Sequence, residues 1–138
     1  MYFILKSLTA ELIYIRWYMA KSSEASPLSA FISQLGRTLN EAPQPLYFLS
    51  DLRYGRILDI AVIQQLGGLT KHPNWAGSAA FSANPISQML VGNFNRMRSD
   101  GKRKNREIYD TPEEVIASLE VIKPGVSGGV DWIAILSA

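Results

Sequence analysis

Leu46-Tyr47-Phe48-Leu49-Ser50-Asp51-Leu52 is the stretch that decides the fold. Four consecutive apolar residues are too few for a helix face and too unbroken for a half-exposed strand. Pro43 and Pro45 stand before them, and the polar loop Ser50-Asp51-Leu52-Arg53-Tyr54-Gly55 follows. A short apolar run between turn signals is how a strand buried on both faces reads, and such strands belong to parallel sheets.

The segments on either side supply the crossovers that a parallel sheet needs. Upstream, Leu28, Phe31, Ile32, Leu35 and Leu39 recur at helical spacing, and Ser26-Pro27 is read as the cap and first turn of that helix. Downstream, Ile57, Ile60, Ile63 and Leu66 predict a second helix, with Val62 and Leu69 widening its face and Gly67-Gly68 weakening its end. Trp75 to Ser82 is the next strand, and its small residues imply close packing by a helix. Asn84-Pro85 opens a third helix carrying Ile86, Met89, Leu90, Phe94 and Met97. Arg106-Glu107-Ile108-Tyr109 is a less apolar strand, expected near an edge. Thr111-Pro112-Glu113-Glu114 is a capping box ahead of Val115, Ile116, Leu119 and Ile122. At the N-terminus, residues 2–8 and 12–19 are rich in β-branched and aromatic residues and read as two adjacent antiparallel strands.

The order is therefore ββαβαβαβα. It predicts an α/β fold in which an antiparallel N-terminal edge strand joins a mostly parallel five-stranded sheet with four helices. Residues 1–124 are expected to form the domain. Residues 125–138 are an apolar tail, Val126-Ser127-Gly128-Gly129 followed by Val130-Asp131-Trp132-Ile133-Ala134-Ile135-Leu136, expected to fold back onto bare surface or to bind a partner.

Composition narrows the chemistry. The chain has 138 residues, 47% of them hydrophobic and 19% charged, which suits one globular domain. It has no cysteine, so disulfides, thiolate nucleophiles and cysteine-ligated metals are excluded. The opening residues lack the marks of a signal peptide and no run of about 18 apolar residues occurs, so a cytoplasmic address is expected. Of the net charge of +2, the segment 96–106 contributes +5 through Arg96, Arg98, Lys102, Arg103, Lys104 and Arg106 against Asp100. Such a patch can attract the phosphates of a polyanion. No aromatic residues interleave to read bases, so specific nucleic-acid recognition is not expected.

The element order and several of its turns resemble the SpoIIAA-like fold, shared by STAS domains and the lipid-binding CRAL-TRIO domains. The likeness rests on Leu46 to Leu52, the His72-Pro73 turn, Ala83-Asn84-Pro85, and Tyr109-Asp110-Thr111-Pro112-Glu113-Glu114-Val115. It implies successive βα units winding as a superhelix. STAS anti-sigma-factor antagonists carry a phosphorylated Ser or Thr at the start of the helix after the central strand. The matching stretch here, Tyr54-Gly55-Arg56-Ile57-Leu58-Asp59, has no hydroxyl group except that of Tyr54, and Ser50 comes several residues too early. The resemblance therefore implies a regulatory interaction module without the phosphoswitch, binding a protein partner or a second copy of itself. A small-molecule or lipid binder is the alternative, with Met89, Phe94 and Met97 as candidate lining.

Catalytic signatures are missing. There is no phosphate loop, no dinucleotide fingerprint and no Gly-x-Ser-x-Gly elbow. The single histidine, His72, reads as a solvated turn residue, and no cofactor or metal is expected. Ligands of parallel sheets usually sit at the carboxyl ends of the strands. That rim would comprise Ser50, Asp51, Arg53, Tyr54, Ser82 and Asn84, with Asp51 expected to hydrogen-bond its own loop. Trp132, Ile133 and Ile135 are the candidate interface on the tail.

Overall fold

The apolar run at 46–49 lies in a strand in the middle of a six-stranded sheet. The computed structural model describes residues 2–19, 21, 24–55, 60–82 and 108–137, with backbone alone at 60–63 and 108. Its strands are β1 (Tyr2–Ser7), β2 (Leu12–Tyr18), β3 (Ser26–Pro27), β4 (Leu46–Asp51), β5 (Trp75–Phe81) and β6 (Ile108–Tyr109). They lie in the order β3-β1-β2-β4-β5-β6. β1 and β2 form the expected antiparallel pair, and β2, β4, β5 and β6 run parallel. The described helices are α1 (Leu28–Glu41), α2 (Ile60–Leu69), α3 (Pro112–Ile122) and α4 (Trp132–Ser137).

Two expectations are corrected. Ser26-Pro27 is extended rather than helical, because its backbone pairs with Tyr2 and Phe3 along the outer side of β1. Proline is tolerated on such an edge, where no donor is required of it. Pro27 then precedes α1 without any side-chain cap bond. The sheet consequently has six strands instead of five, and β3 rather than β1 is the edge. The third helix expected after Asn84-Pro85 lies outside the described residues, as does most of Arg106 to Ile108.

Each sheet face buries its own core. On one face, Phe3, Ile13, Ile15, Trp17, Leu46 and Phe48 meet Phe31, Leu35 and Leu39 of α1, with Leu66 and Leu69 of α2 packed alongside. Phe31, Leu35 and Leu39 recur every four residues, so one stripe of α1 reaches the sheet. Phe31 stacks on Phe3 at 4.3 Å between centroids, and Phe48 on Trp75 at 4.1 Å. On the other face, Leu12, Tyr14, Leu49, Ala79 and Phe81 meet Val115 and Leu119 of α3 and the tail residue Val126. Tyr47 and Ile122 lie over Gly77 of β5, where an added Cβ would make ordinary van der Waals contact with both.

The helix ends show how polar groups are satisfied. The Thr111 hydroxyl accepts from the Glu114 amide at 3.2 Å, the first half of the expected capping box, while the Glu114 carboxylate accepts from that hydroxyl at 3.1 Å rather than from the Thr111 amide. The His72 ring accepts from the Asn74 amide through Nδ1, which leaves Nε2–H to donate to Asn40 Oδ1 at 2.7 Å. Asn74 Nδ2 donates to the carbonyls of Leu39 and Ala42, the unpaired end of α1. The histidine is thus part of a clasp between α1 and the turn before β5.

Gly55 closes the loop after β4 against the end of β2. A Cβ there would lie 2.8 Å from the carbonyl carbon of Trp17 and 2.9 Å from its oxygen, and these backbone atoms cannot swing away. Overpacking of this kind costs about 1–3 kcal/mol. Gly55→Ala is expected to lower stability by that amount in urea unfolding, and a loss under about 0.5 kcal/mol, the ordinary surface range, would contradict the contact.

Candidate functional site

Period-two alternation puts Leu12, Tyr14 and Arg16 of β2 on the face covered by α3, beside Tyr47, Leu49 and Asp51 of β4. Apolar residues fill the middle of that face. Its polar members collect at the carboxyl ends of the strands, where Arg16 and Asp51 are register partners.

Asp51 is fully buried, with 0% of its surface exposed, and three side chains converge on it. The Tyr14 hydroxyl donates to Oδ2. Arg53 grips both oxygens, Nε to Oδ1 at 3.0 Å and Nη2 to Oδ2 at 2.8 Å, while its backbone N–H donates to Oδ1 at 3.0 Å. Arg16 Nε lies 3.3 Å from Oδ2 and donates to the Tyr14 hydroxyl at 2.8 Å. Both guanidinium groups also stand over the half-exposed ring of Tyr54, at 5.2 and 5.1 Å from its centroid. Tyr18 stacks on the same ring at 6.0 Å.

The electrostatics follow from this packing. Burial by itself would raise the Asp51 carboxyl, but bonds from the Arg53 side chain, the Tyr14 hydroxyl and the Arg53 amide outweigh it and hold the group below its ordinary range. Burial raises the Tyr14 hydroxyl, and the Asp51 carboxylate raises it further against the opposing pull of Arg16. Burial would lower Arg16, yet the Tyr18 and Tyr14 hydroxyls and the Asp51 charge more than offset that. The bond to Asp51 raises Arg53. Each group is locked in its ordinary neutral-pH state, with Asp51 ionised, Tyr14 protonated and both arginines charged.

The tail meets both guanidinium groups. Arg16 Nη2 donates to the Ile135 carbonyl at 3.0 Å and Arg53 Nη2 to the Leu136 carbonyl at 2.9 Å. These carbonyls belong to the last turn of α4, the negative end of its dipole. The tail reaches the rim in two steps. Glu120 first pins its start, accepting from the Ser127 hydroxyl and from the amides of Ser127 and Gly125, which together lower its own carboxyl. Gly128 and Gly129 follow, and Asp131 then caps α4 by accepting from the Ala134 amide at 3.2 Å. Trp132, Ile135 and Leu136 pack against the second core from positions that remain partly exposed.

No model of a known protein family matches the chain, and no curated protein matches it in sequence. A solved structure does match in shape. The anti-sigma factor antagonist SpoIIAA in its unphosphorylated form superposes with a TM-score of 0.60 over 86% of this chain and 96% of that one, at 12% sequence identity. The fold is SpoIIAA-like. That agrees with the likeness carried by the Leu46–Leu52 strand and the Thr111–Glu114 cap.

Within this SpoIIAA-like frame the structure gathers Asp51, Arg53 and Tyr54 into one cluster. Ser50 stands half-buried on β4, and nothing in the structure ties it to them. Ser82 is buried and stitches the rim, its amide donating to the Tyr109 carbonyl at 2.8 Å and its hydroxyl reaching the Leu52 carbonyl at 3.5 Å. Asn84 and the basic residues Arg96, Arg98, Lys102, Arg103, Lys104 and Arg106 lie outside the described residues. Of the three tail residues, Trp132 and Ile135 turn toward the second core while Ile133 is 81% exposed. Sequence reasoning missed Tyr14 and Arg16. The available signal was an arginine inside the otherwise apolar run Leu12 to Tyr18, two residues from a tyrosine and so on the same face. Among the described residues, no group of three or more His, Asp or Glu side chains could hold a metal ion, and no helix is long and apolar enough to cross a membrane.

Proposed function

We propose that this SpoIIAA-like chain is a non-enzymatic interaction module that binds a protein partner through the outer surface of α3 and α4 and works without a phosphorylatable serine. The observation that carries this reading is the state of the strand-end rim. Among the described residues, Tyr14, Arg16, Asp51 and Arg53 are engaged with one another and with the tail, so the acid or base that each could offer to catalysis is committed to structure. A second observation favours the surface. Val121 and Ile122 on α3 and Ile133 on α4 expose large apolar side chains, at 79%, 47% and 81%. Single exposed apolar residues are ordinary, but here three of them stand on the two helices that cover one sheet face. Because SpoIIAA is an anti-sigma factor antagonist, a protein that acts on another regulator, partner binding is the natural use for the shared fold.

The test is native mass spectrometry of the full chain purified from its own host, compared with the double variant Val121→Asp, Ile133→Asp. Both positions face solvent, so the fold should be retained. The expected result is a stoichiometric protein complex, homomeric or heteromeric, that the double variant loses. A bare monomer, or a complex the variant leaves intact, would contradict the reading.

A further inference from the structure

We propose that Arg16 and Arg53 form a binding site for an oxyanion, phosphate or carboxylate, which the carboxyl end of α4 covers in cis and which the ligand gains by displacing that helix. This goes beyond the interaction reading, whose partner surface is formed by Val121, Ile122 and Ile133 rather than by the two arginines. The arginines are assembled as a receptor for oxygen acceptors. Asp51 orients both guanidinium groups, Tyr54 underlies both, and each extends an Nη2 donor toward an adjacent backbone oxygen, those of Ile135 and Leu136. Two donors from two fixed guanidinium groups suit the oxygens of a phosphate or carboxylate, and charged acceptors bind such donors more strongly than neutral carbonyls do.

The cover is built to be weak. α4 has six residues, far below the length at which a helix is stable alone, and none of its side chains is fully buried. Gly128 and Gly129, the latter at φ +80°, separate it from the segment that Glu120 pins, so α4 can swing while Val126 keeps its place in the second core. Segments of this kind open locally at far lower cost than the core. The apparent affinity for the anion then equals the intrinsic affinity reduced by the fraction of molecules with α4 lifted.

The experiment adds inorganic phosphate, and in a parallel arm acetate, to the full chain at ionic strength held constant with sodium chloride, and follows amide hydrogen exchange of residues 132–137. The expected result is saturable acceleration by at least one of the two anions beyond the chloride control. A response to phosphate alone identifies a phosphate site, and a response to acetate alone a carboxylate site. Arg53→Gln should raise the apparent dissociation constant about tenfold or more, the weight of a charge-assisted bond. Ile135→Ala removes packing from α4 and leaves the arginines untouched, so it should lower that constant about threefold or more as the open fraction grows. Exchange that neither anion changes beyond chloride would overturn the proposal. So would unaltered affinity in either variant.

Discussion

Asp51→Asn should cost about 3–5 kcal/mol of folding stability, the usual penalty for leaving one member of a buried ion pair without its partner. The substitution keeps the shape and removes the charge. Arg16, with 6% of its side chain exposed, would keep a positive charge in a nearly closed site, and the Tyr14 hydroxyl would face a weaker acceptor. The penalty also depends on pH in a defined direction. Because the folded state holds the Asp51 carboxyl below its ordinary value, its contribution is present in full above the unfolded value of about 3.9 and disappears as pH falls through the folded value. The stability gap between wild type and Asp51→Asn should therefore be wide at neutral pH and narrow progressively below about pH 4. Urea unfolding at several pH values measures it. A gap under about 1 kcal/mol at pH 7, no more than an exposed ion pair is worth, would mean that the cluster contributes no more than a surface salt bridge.

Phe48→Ala is expected to cost a similar amount, about 3–5 kcal/mol, for a different reason. Phe48 is fully buried in the central strand, stacked on Trp75, and surrounded by the first core. Its removal forfeits the transfer of the ring from water and leaves a cavity between the sheet and α1 that neighbouring strand residues cannot collapse to fill. Phe48→Leu should recover most of the loss, since it retains the apolar volume near the backbone. The loss in Phe48→Ala should also be nearly independent of pH, which distinguishes it from Asp51→Asn. Equal stability of Phe48→Ala and wild type in denaturant would place Phe48 outside the core. For a chain of 138 residues whose total stability is of order 10 kcal/mol, either substitution removes a large share.

The parts of the molecule legible in the sequence are those whose signals are local. The Leu46–Leu49 run, the four-residue recurrence of Phe31, Leu35 and Leu39, and the Thr111–Glu114 cap each encode their element within a few residues. The rim after β4 was legible for the same reason, since Asp51, Arg53 and Tyr54 follow directly on the strand end. What was hidden depends on distance along the chain. Tyr14 and Arg16 meet Asp51 across about 35 residues, and Arg53 meets Leu136 across 83. No local pattern reports such a meeting until the strand register is known. Ser26-Pro27 carried a helix-start signal, but pairing with the open edge of β1 used its backbone first. The tail reads as an unplaced apolar run, and its helix depends on an Asp131 cap and on two arginines outside its own sequence.

The strand-end rim is a closed charge cluster, with Asp51 ionised and committed to Arg16, Arg53 and Tyr14. An NMR titration of the Asp51 side-chain carboxyl, carried from neutral pH down toward acid unfolding, tests it directly. The expected result is that this carboxyl stays ionised below the ordinary aspartate value and that the Ile135 and Leu136 amides shift only when it takes up a proton. A carboxyl titrating at or above the ordinary value of about 3.9 would contradict it, because Asp51 would then be a group available for proton transfer and the rim a candidate for chemistry after all.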